Sequence, residues 1–240
     1  MRITRYALFI SLCLFTVVCA ASVESDTTVV TNEYKSLMTT YGIEINKDID
    51  FPDLVTEVYD ERNREYYYVD HEQKREILMA ARVGFISGYE DGTFKPDNSI
   101  TRAEFIKMLM EISTNRTFNI ATIPTNYSNW AGRYISLAEI QGIIEKAEYT
   151  EEELEEPITR IEVVCMLAKV QIKMKGITQK FAGHLIYDDI DGLTDEEKEL
   201  LLHAASYDLL EGMKDGSMTS FEPDKNITRA EAAAALIRIY

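Results

Sequence analysis

Three arginines in this chain share one local setting: Ile100-Thr101-Arg102-Ala103-Glu104, Ile158-Thr159-Arg160-Ile161-Glu162 and Ile227-Thr228-Arg229-Ala230-Glu231. A threonine followed three residues later by a glutamate, just ahead of an apolar run, is a capping box. The hydroxyl and the carboxylate each satisfy a backbone donor that the first helical turn would otherwise leave orphaned. This explains Thr101, Glu104, Thr159, Glu162, Thr228 and Glu231, an N-cap being worth about 1 kcal/mol. It leaves the arginine unexplained, because a cation in the first turn faces the positive end of the helix dipole. Two uses fit it. A guanidinium beside free helix N–H groups can hold a carboxylate or a phosphate in bidentate geometry. Alternatively, it can form a salt bridge to a neighbouring acid, and this acidic chain has many.

Other residues with possible chemistry divide in the same way. Trp130, the sole tryptophan, suits either a core position or a stacking face for a sugar ring. Asp53, Asn129 and Asp189 hold one repeat position, where they could accept bonds from sugar hydroxyls or cap the next helix. Asp189, Asp191 and Gly192 resemble the start of a calcium loop, but Lys198 stands at the twelfth place from Tyr187, where a bidentate glutamate belongs. His71, His184 and His203 lack metal-ligand spacing. No metal or cofactor is expected. The acidic run Glu151–Glu156 reads as a solvated face rather than a glycosidase pair fixed across a cleft.

The elements that position these groups follow from periodicity. After each threonine, apolar residues recur at i, i+3, i+4 and i+7: Phe105, Met108, Leu109, Ile112; Val163, Met166, Leu167, Val170; Ala232, Ala235, Leu236, Ile239. That stripe marks an amphipathic helix. A second helical pattern precedes each anchor, at 72–83, 130–140 and 194–210. The loop between the two, Gly88 to Asn98 in the first unit, carries Asp-Gly and Pro-Asp turn formers. It is longer in the third unit, Gly212 to Asn226, and lost in the second. Each unit opens on a short aromatic and polar signature, such as Phe51-Pro52-Asp53 or Tyr187-Asp188-Asp189. The fold class expected is all-α: three helix-loop-helix repeats at 50–118, 119–178 and 179–240, with 21–49 supplying a tether or a first helix.

Residues 1–20 read as a secretory signal, with Arg2 and Arg5 before an apolar run and Val18-Cys19-Ala20 as a cleavage site. A lipid anchor on Cys19 fits poorly after the bulky Val18. The apolar run is shorter than the roughly 20 residues of a membrane span, so no stable membrane insertion is expected. Loss of Arg2 and Arg5 takes the formal charge from −16 to about −18, which excludes ordinary nucleic-acid binding. Cys13 and Cys19 fall inside the same segment and leave Cys165 without an internal partner.

Gly84 to Gly88, Asp91-Gly92-Thr93-Phe94-Lys95-Pro96 and Ile100 to Glu104, in that order, closely resemble the S-layer homology domain. Ile227 to Glu231 with Phe221-Glu222-Pro223-Asp224 repeats the match, and Trp130-Ala131, Gly142-Ile143-Ile144 and Ile158 to Glu162 give a version without the loop. The resemblance implies a pseudo-threefold, three-lobed helical bundle with ligand grooves between its lobes. It also implies a secreted, non-enzymatic protein of the cell envelope. Its partner would be a secondary polymer linked to peptidoglycan, often one bearing pyruvylated sugars. Arg102 and Arg229 then become the leading ligand contacts, ahead of Arg160, Trp130, Asp53 and Asp189. A rival reading makes the chain a structural protein whose worn repeats bind another envelope protein.

Overall fold

Helix starts are set locally, by residues that supply the first turn with its missing acceptors. Thr101, Thr159 and Thr228 each accept from the backbone N–H of the glutamate three residues on, and that glutamate's carboxylate accepts from the threonine N–H. Thr150 and Thr194 do the same with Glu153 and Glu197. The chain, described here by a computed structural model over residues 48–114, 119–178, 187–209 and 220–239, therefore carries helices α1 (Lys74–Arg82), α2 (Arg102–Ser113) and α3 (Gly132–Ile140). They are followed by the short α4 (Glu151–Leu154), then α5 (Arg160–Lys169), α6 (Asp195–Ser206) and α7 (Arg229–Arg238). The stripes expected on α2, α5 and α7 are buried throughout, from Phe105 to Ile112, Val163 to Val170 and Ala232 to Ile239.

The first helix of each repeat ends by one device. At the position after the C-cap, Gly84, Gly142 and Asp208 adopt φ of 77°, 67° and 51°. The next amide then turns back onto the helix: Phe85 N–H to Ala80 (2.9 Å), Ile143 to Ala138 (2.8 Å) and Leu209 to Ala204 (3.0 Å). This is the Schellman closure, which favours glycine and tolerates aspartate.

The three anchors meet at a closed triangle. Ile100 N–H donates to the Ile227 carbonyl (3.4 Å), Ile227 N–H to Ile158 (3.2 Å) and Ile158 N–H to Ile100 (3.0 Å). All three isoleucines are fully buried. Two residues further along, Arg102, Arg160 and Arg229 donate their backbone N–H groups in the opposite sense around the ring, to Glu156, Lys225 and Asn98. Around this hub the helices pair across the repeat boundaries: α2 packs on α3, α5 on α6, and α1 on α7. The last helix thus closes onto the first.

The all-α expectation is wrong. Between the first signature and α1 lies an antiparallel hairpin, β1 (Val55–Asp60) paired with β2 (Glu65–Asp70) in the register Val55↔Asp70 to Asp60↔Glu65. Its composition explains it. Val, Thr and Tyr favour a pleated backbone, and Asp60 organises the turn by accepting from Arg62 N–H (2.8 Å) and Asn63 Nδ2 (3.0 Å). Arg64 takes the left-handed φ of 58° that the turn needs. A π-helical turn, Val170–Met174, extends α5 and buries Gln171 against His203 (3.0 Å). The segments 1–20 and 21–47, His184 and residues 212–219 of the third loop lie outside the described residues.

Candidate functional site

Each anchor arginine starts its helix at N1 and reaches into the next repeat around the triangle. Arg102 forms a fork with Glu162, Nε to Oε1 at 2.7 Å and Nη2 to Oε2 at 3.2 Å. Its Nη1 donates to the Glu153 carbonyl at 3.1 Å. Arg160, with 1% exposure, donates Nε–H to the Phe221 carbonyl at 2.9 Å and lies 3.5 Å from Glu231. Arg229 donates to the carbonyls of Phe94 (3.1 Å) and Ser87 (2.6 Å).

In each case an aromatic ring of the receiving repeat faces the guanidinium. Tyr149 lies 5.4 Å from Arg102, Phe221 lies 5.2 Å from Arg160, and Phe94 and Tyr89 lie 4.8 and 4.9 Å from Arg229.

The charge on these arginines is met differently. Glu162 and Glu231, the capping glutamates of the receiving repeats, neutralise Arg102 and Arg160. Burial pulls the Arg102 pKa down, but the Glu162 fork outweighs it and leaves the group above its ordinary value. Burial likewise pushes the Glu162 carboxyl up, and Arg102 with the Thr159 amide holds it below the usual carboxylate range. Desolvation lowers Arg160 against the pull of Glu231. By repeat position the counterpart for Arg229 would be Glu104, but that carboxylate accepts from its own Thr101 N–H (3.0 Å). Among the described residues no carboxylate lies within ion-pair distance of Arg229, which is 8% exposed.

Asp53 and Asp189 act on the same loop residues from the other side. Asp53 accepts from Phe94 N–H (2.9 Å) and Lys95 N–H (2.6 Å), and Asp189 from Phe221 (2.9 Å) and Glu222 (2.7 Å). The amide and carbonyl of Phe94 are thus held by Asp53 and Arg229, and those of Phe221 by Asp189 and Arg160. The signature aromatics pack on the same rings, Phe51 on Phe94 at 5.3 Å and Tyr187 on Phe221 at 5.4 Å. Such bracing holds Lys95 and Glu222 at φ of 58° and 55°, a conformation that side-chain-bearing residues adopt only under local support. In the middle repeat the roles are exchanged: Glu151 of α4 accepts from Ser128 and Asn129. Asn129 Oδ1 accepts in turn from Ala131 N–H (2.8 Å). Trp130 stands at 60% exposure, away from the guanidinium clamps.

Two clefts open beside these clamps, one in the first repeat and one between the second and third. One, of about 540 Å³, is lined by Phe51, Phe85, Ser87, Tyr89, Lys107 and Glu111 among others. Its wall residues Ser87 and Tyr89 are the ones that contact Arg229. The other, of about 260 Å³, is lined by Tyr149, the residue facing Arg102. Here Glu145, Glu148, Glu162, Glu196 and Glu197 surround one lysine, Lys169, and Cys165. Burial, then Glu162 and Glu148, drive the Tyr149 phenol far above its ordinary pKa. Tyr89, Ser87 and Tyr149 escape the sequence reading. The only available signal was an aromatic inside each loop, and nothing local ties it to an arginine 140 residues away in the first repeat.

A family model described as the S-layer homology domain matches residues 69–106 and 187–233. Both stretches belong to the S-layer homology family. Such domains are anchoring modules rather than catalytic ones. The intervening residues share the capping box, the Schellman closure and the hub hydrogen bonds of the two matched S-layer homology stretches.

The chain is also similar to an amylopullulanase of Thermoanaerobacterium thermosulfurigenes, 24% identical over 169 residues, which are 70% of this chain and 9% of that protein. An exoglucanase XynX of Acetivibrio thermocellus is 24% identical over 169 residues, 70% of this chain and 15% of the relative. A cellulosome-anchoring protein of Acetivibrio thermocellus is 30% identical over 163 residues, 64% of this chain and 35% of the relative. The chain therefore spans a minor part of each of these curated relatives. No described helix is long and apolar enough to cross a membrane, and no group of three His, Cys, Asp or Glu among the described residues could hold a metal.

Proposed function

We propose that this protein anchors at the bacterial cell surface by non-covalent binding of its S-layer homology repeats to a secondary cell-wall polymer carrying acidic, pyruvylated sugars. The repeats are 50–118, 119–178 and 179–240, and residues 1–20 direct export. The observation that carries the reading is Arg229: a nearly buried cation, 4.8 and 4.9 Å from the Phe94 and Tyr89 rings, with no carboxylate beside it among the described residues. A guanidinium in that state has coordination left for a ligand carboxylate at the adjoining cleft. Arg102 and Arg160 serve as braces between repeats, because Glu162 and Glu231 occupy their charge.

The cleft beside Tyr149 supports a second reading for that part of the surface. Five glutamates against one lysine repel an anionic polymer. That face suits a basic partner from the envelope.

The test is co-sedimentation with purified wall sacculi, with and without their secondary polymer. Binding that requires the polymer, and that falls at least tenfold in Arg229→Met while Arg160→Lys retains it, is the expected result. Equal binding to both sacculi, or to neither, overturns it.

A further inference from the structure

The hairpin belongs neither to the hub nor to either cleft. All six residues of β2 are exposed, with Tyr66 and Tyr68 at 65% and 71%. The alternation of a strand sends Tyr66 and Tyr68 to one face with Tyr59, and Tyr67 and Val69 to the other with Val58. Apolar surface is therefore exposed on both sides of one strand. A two-stranded sheet is marginal in water without further pairing. The outer edge of β2 offers a row of backbone groups of the kind that captures extended peptides.

The residues around it define what would bind. The hairpin holds Glu57, Asp60, Glu61, Glu65 and Asp70 against Arg62 and Arg64, and it stays net acidic even with Lys74 of α1 at 2.7 Å from the exposed Asp70. A second copy is disfavoured, because an antiparallel β2–β2 pair centred on Tyr67 and Tyr68 sets Glu65 opposite Asp70 at both ends, and like charges directly opposed destabilise a ladder. A glycan lying on an aromatic platform is a poor fit, since the Tyr59 and Tyr66 rings are tilted by 50° and the exposed rings are divided between two faces. We infer that β2 is a docking edge for an extended, basic segment of a partner protein, which adds as a third strand with its cations against Glu65 and Asp70. This surface is independent of wall binding.

The test uses the full chain and an acetylated, amidated octapeptide of valine and threonine with lysines at its second and seventh positions, five residues apart so that they fall on the opposite faces that carry Glu65 and Asp70. Two control peptides carry glutamate for lysine or proline at alternate positions. Amide hydrogen exchange across Tyr66–Val69 is the readout. The lysine peptide should slow the outward-facing β2 amides at least tenfold, and Glu65→Lys with Asp70→Lys should weaken its binding at least tenfold without changing the melting of the helical core. Glu65→Gln with Asp70→Asn, which cannot repel the peptide, should give an intermediate loss. Absence of protection overturns the proposal. So does equal binding of either control peptide, protection by neutral glucan or chitin oligosaccharides instead of the peptide, or a dimer formed through β2 in the free protein.

Discussion

Replacing Ile158 with alanine tests whether the hydrogen-bonded triangle makes the three helix pairs one cooperative unit. Ile158 is fully buried, donates to Ile100 and accepts from Ile227. Truncation removes three carbons, or about 2.4 kcal/mol of transfer free energy at ~0.8 kcal/mol each. The hub backbones are hydrogen-bonded to one another and cannot close in around the gap, so a cavity contribution of about 1 kcal/mol adds to this. The expected loss is about 3.5 kcal/mol, a fall in melting temperature of roughly 7–14 °C for a chain of this size. Ile158→Val should lose about 1 kcal/mol. Urea denaturation followed by far-ultraviolet circular dichroism should show one transition with an unchanged slope. A loss below about 1 kcal/mol, or a separate early transition for part of the helical signal, would refute the reasoning and show the middle repeat to be an appendage.

Three further outcomes follow from buried or braced groups. Burial lowers the pKa of His203, which pairs with Gln171, so the unfolded chain binds the extra proton first. Stability should therefore fall as pH drops through about 6.5, by no more than about 1.4 kcal/mol per unit for this one proton, and His203→Gln should flatten that part of the profile in thermal melts. Asp189 behaves in the opposite sense: partial burial pushes it up, but the Phe221 and Glu222 amides and Ser220 hold it below the ordinary carboxylate range. Its contribution is complete above the unfolded value and lost as pH falls through the folded one, so Asp189→Asn should remove part of the acid limb and expose Phe221 to limited chymotrypsin. Burial pushes the Cys165 thiol up to about 12. Iodoacetamide at pH 8 should modify the folded protein at least tenfold more slowly than the urea-unfolded chain, as mass spectrometry can show.

Features written within four residues were legible in the sequence. The capping boxes and the apolar stripes depend on neighbours along the chain, and types and spacing announce them. The hairpin was not legible as an element, because β1 and β2 are six residues each and their alternation is partly hidden by three successive tyrosines. The arginine question could not be resolved from sequence either. Arg102 and Arg229 stand in near-identical local contexts, and only the partner across the boundary separates them. Glu162 turns out to serve two masters, its own helix cap and Arg102, whereas Glu104 serves only its cap. Asp53 and Asp189 were visible as equivalent positions, but their targets lie 41 and 32 residues downstream in the fold.

The seam between α1 and α7 also dictates when the structure can exist. Arg229 bonds to residues 135 and 142 positions earlier, and among the described elements α7 is the helix that packs most closely on α1. Closing so long a loop is slow relative to forming local helices. The ring therefore cannot close before α7 is made, so the first repeat settles only after the third anchor has emerged.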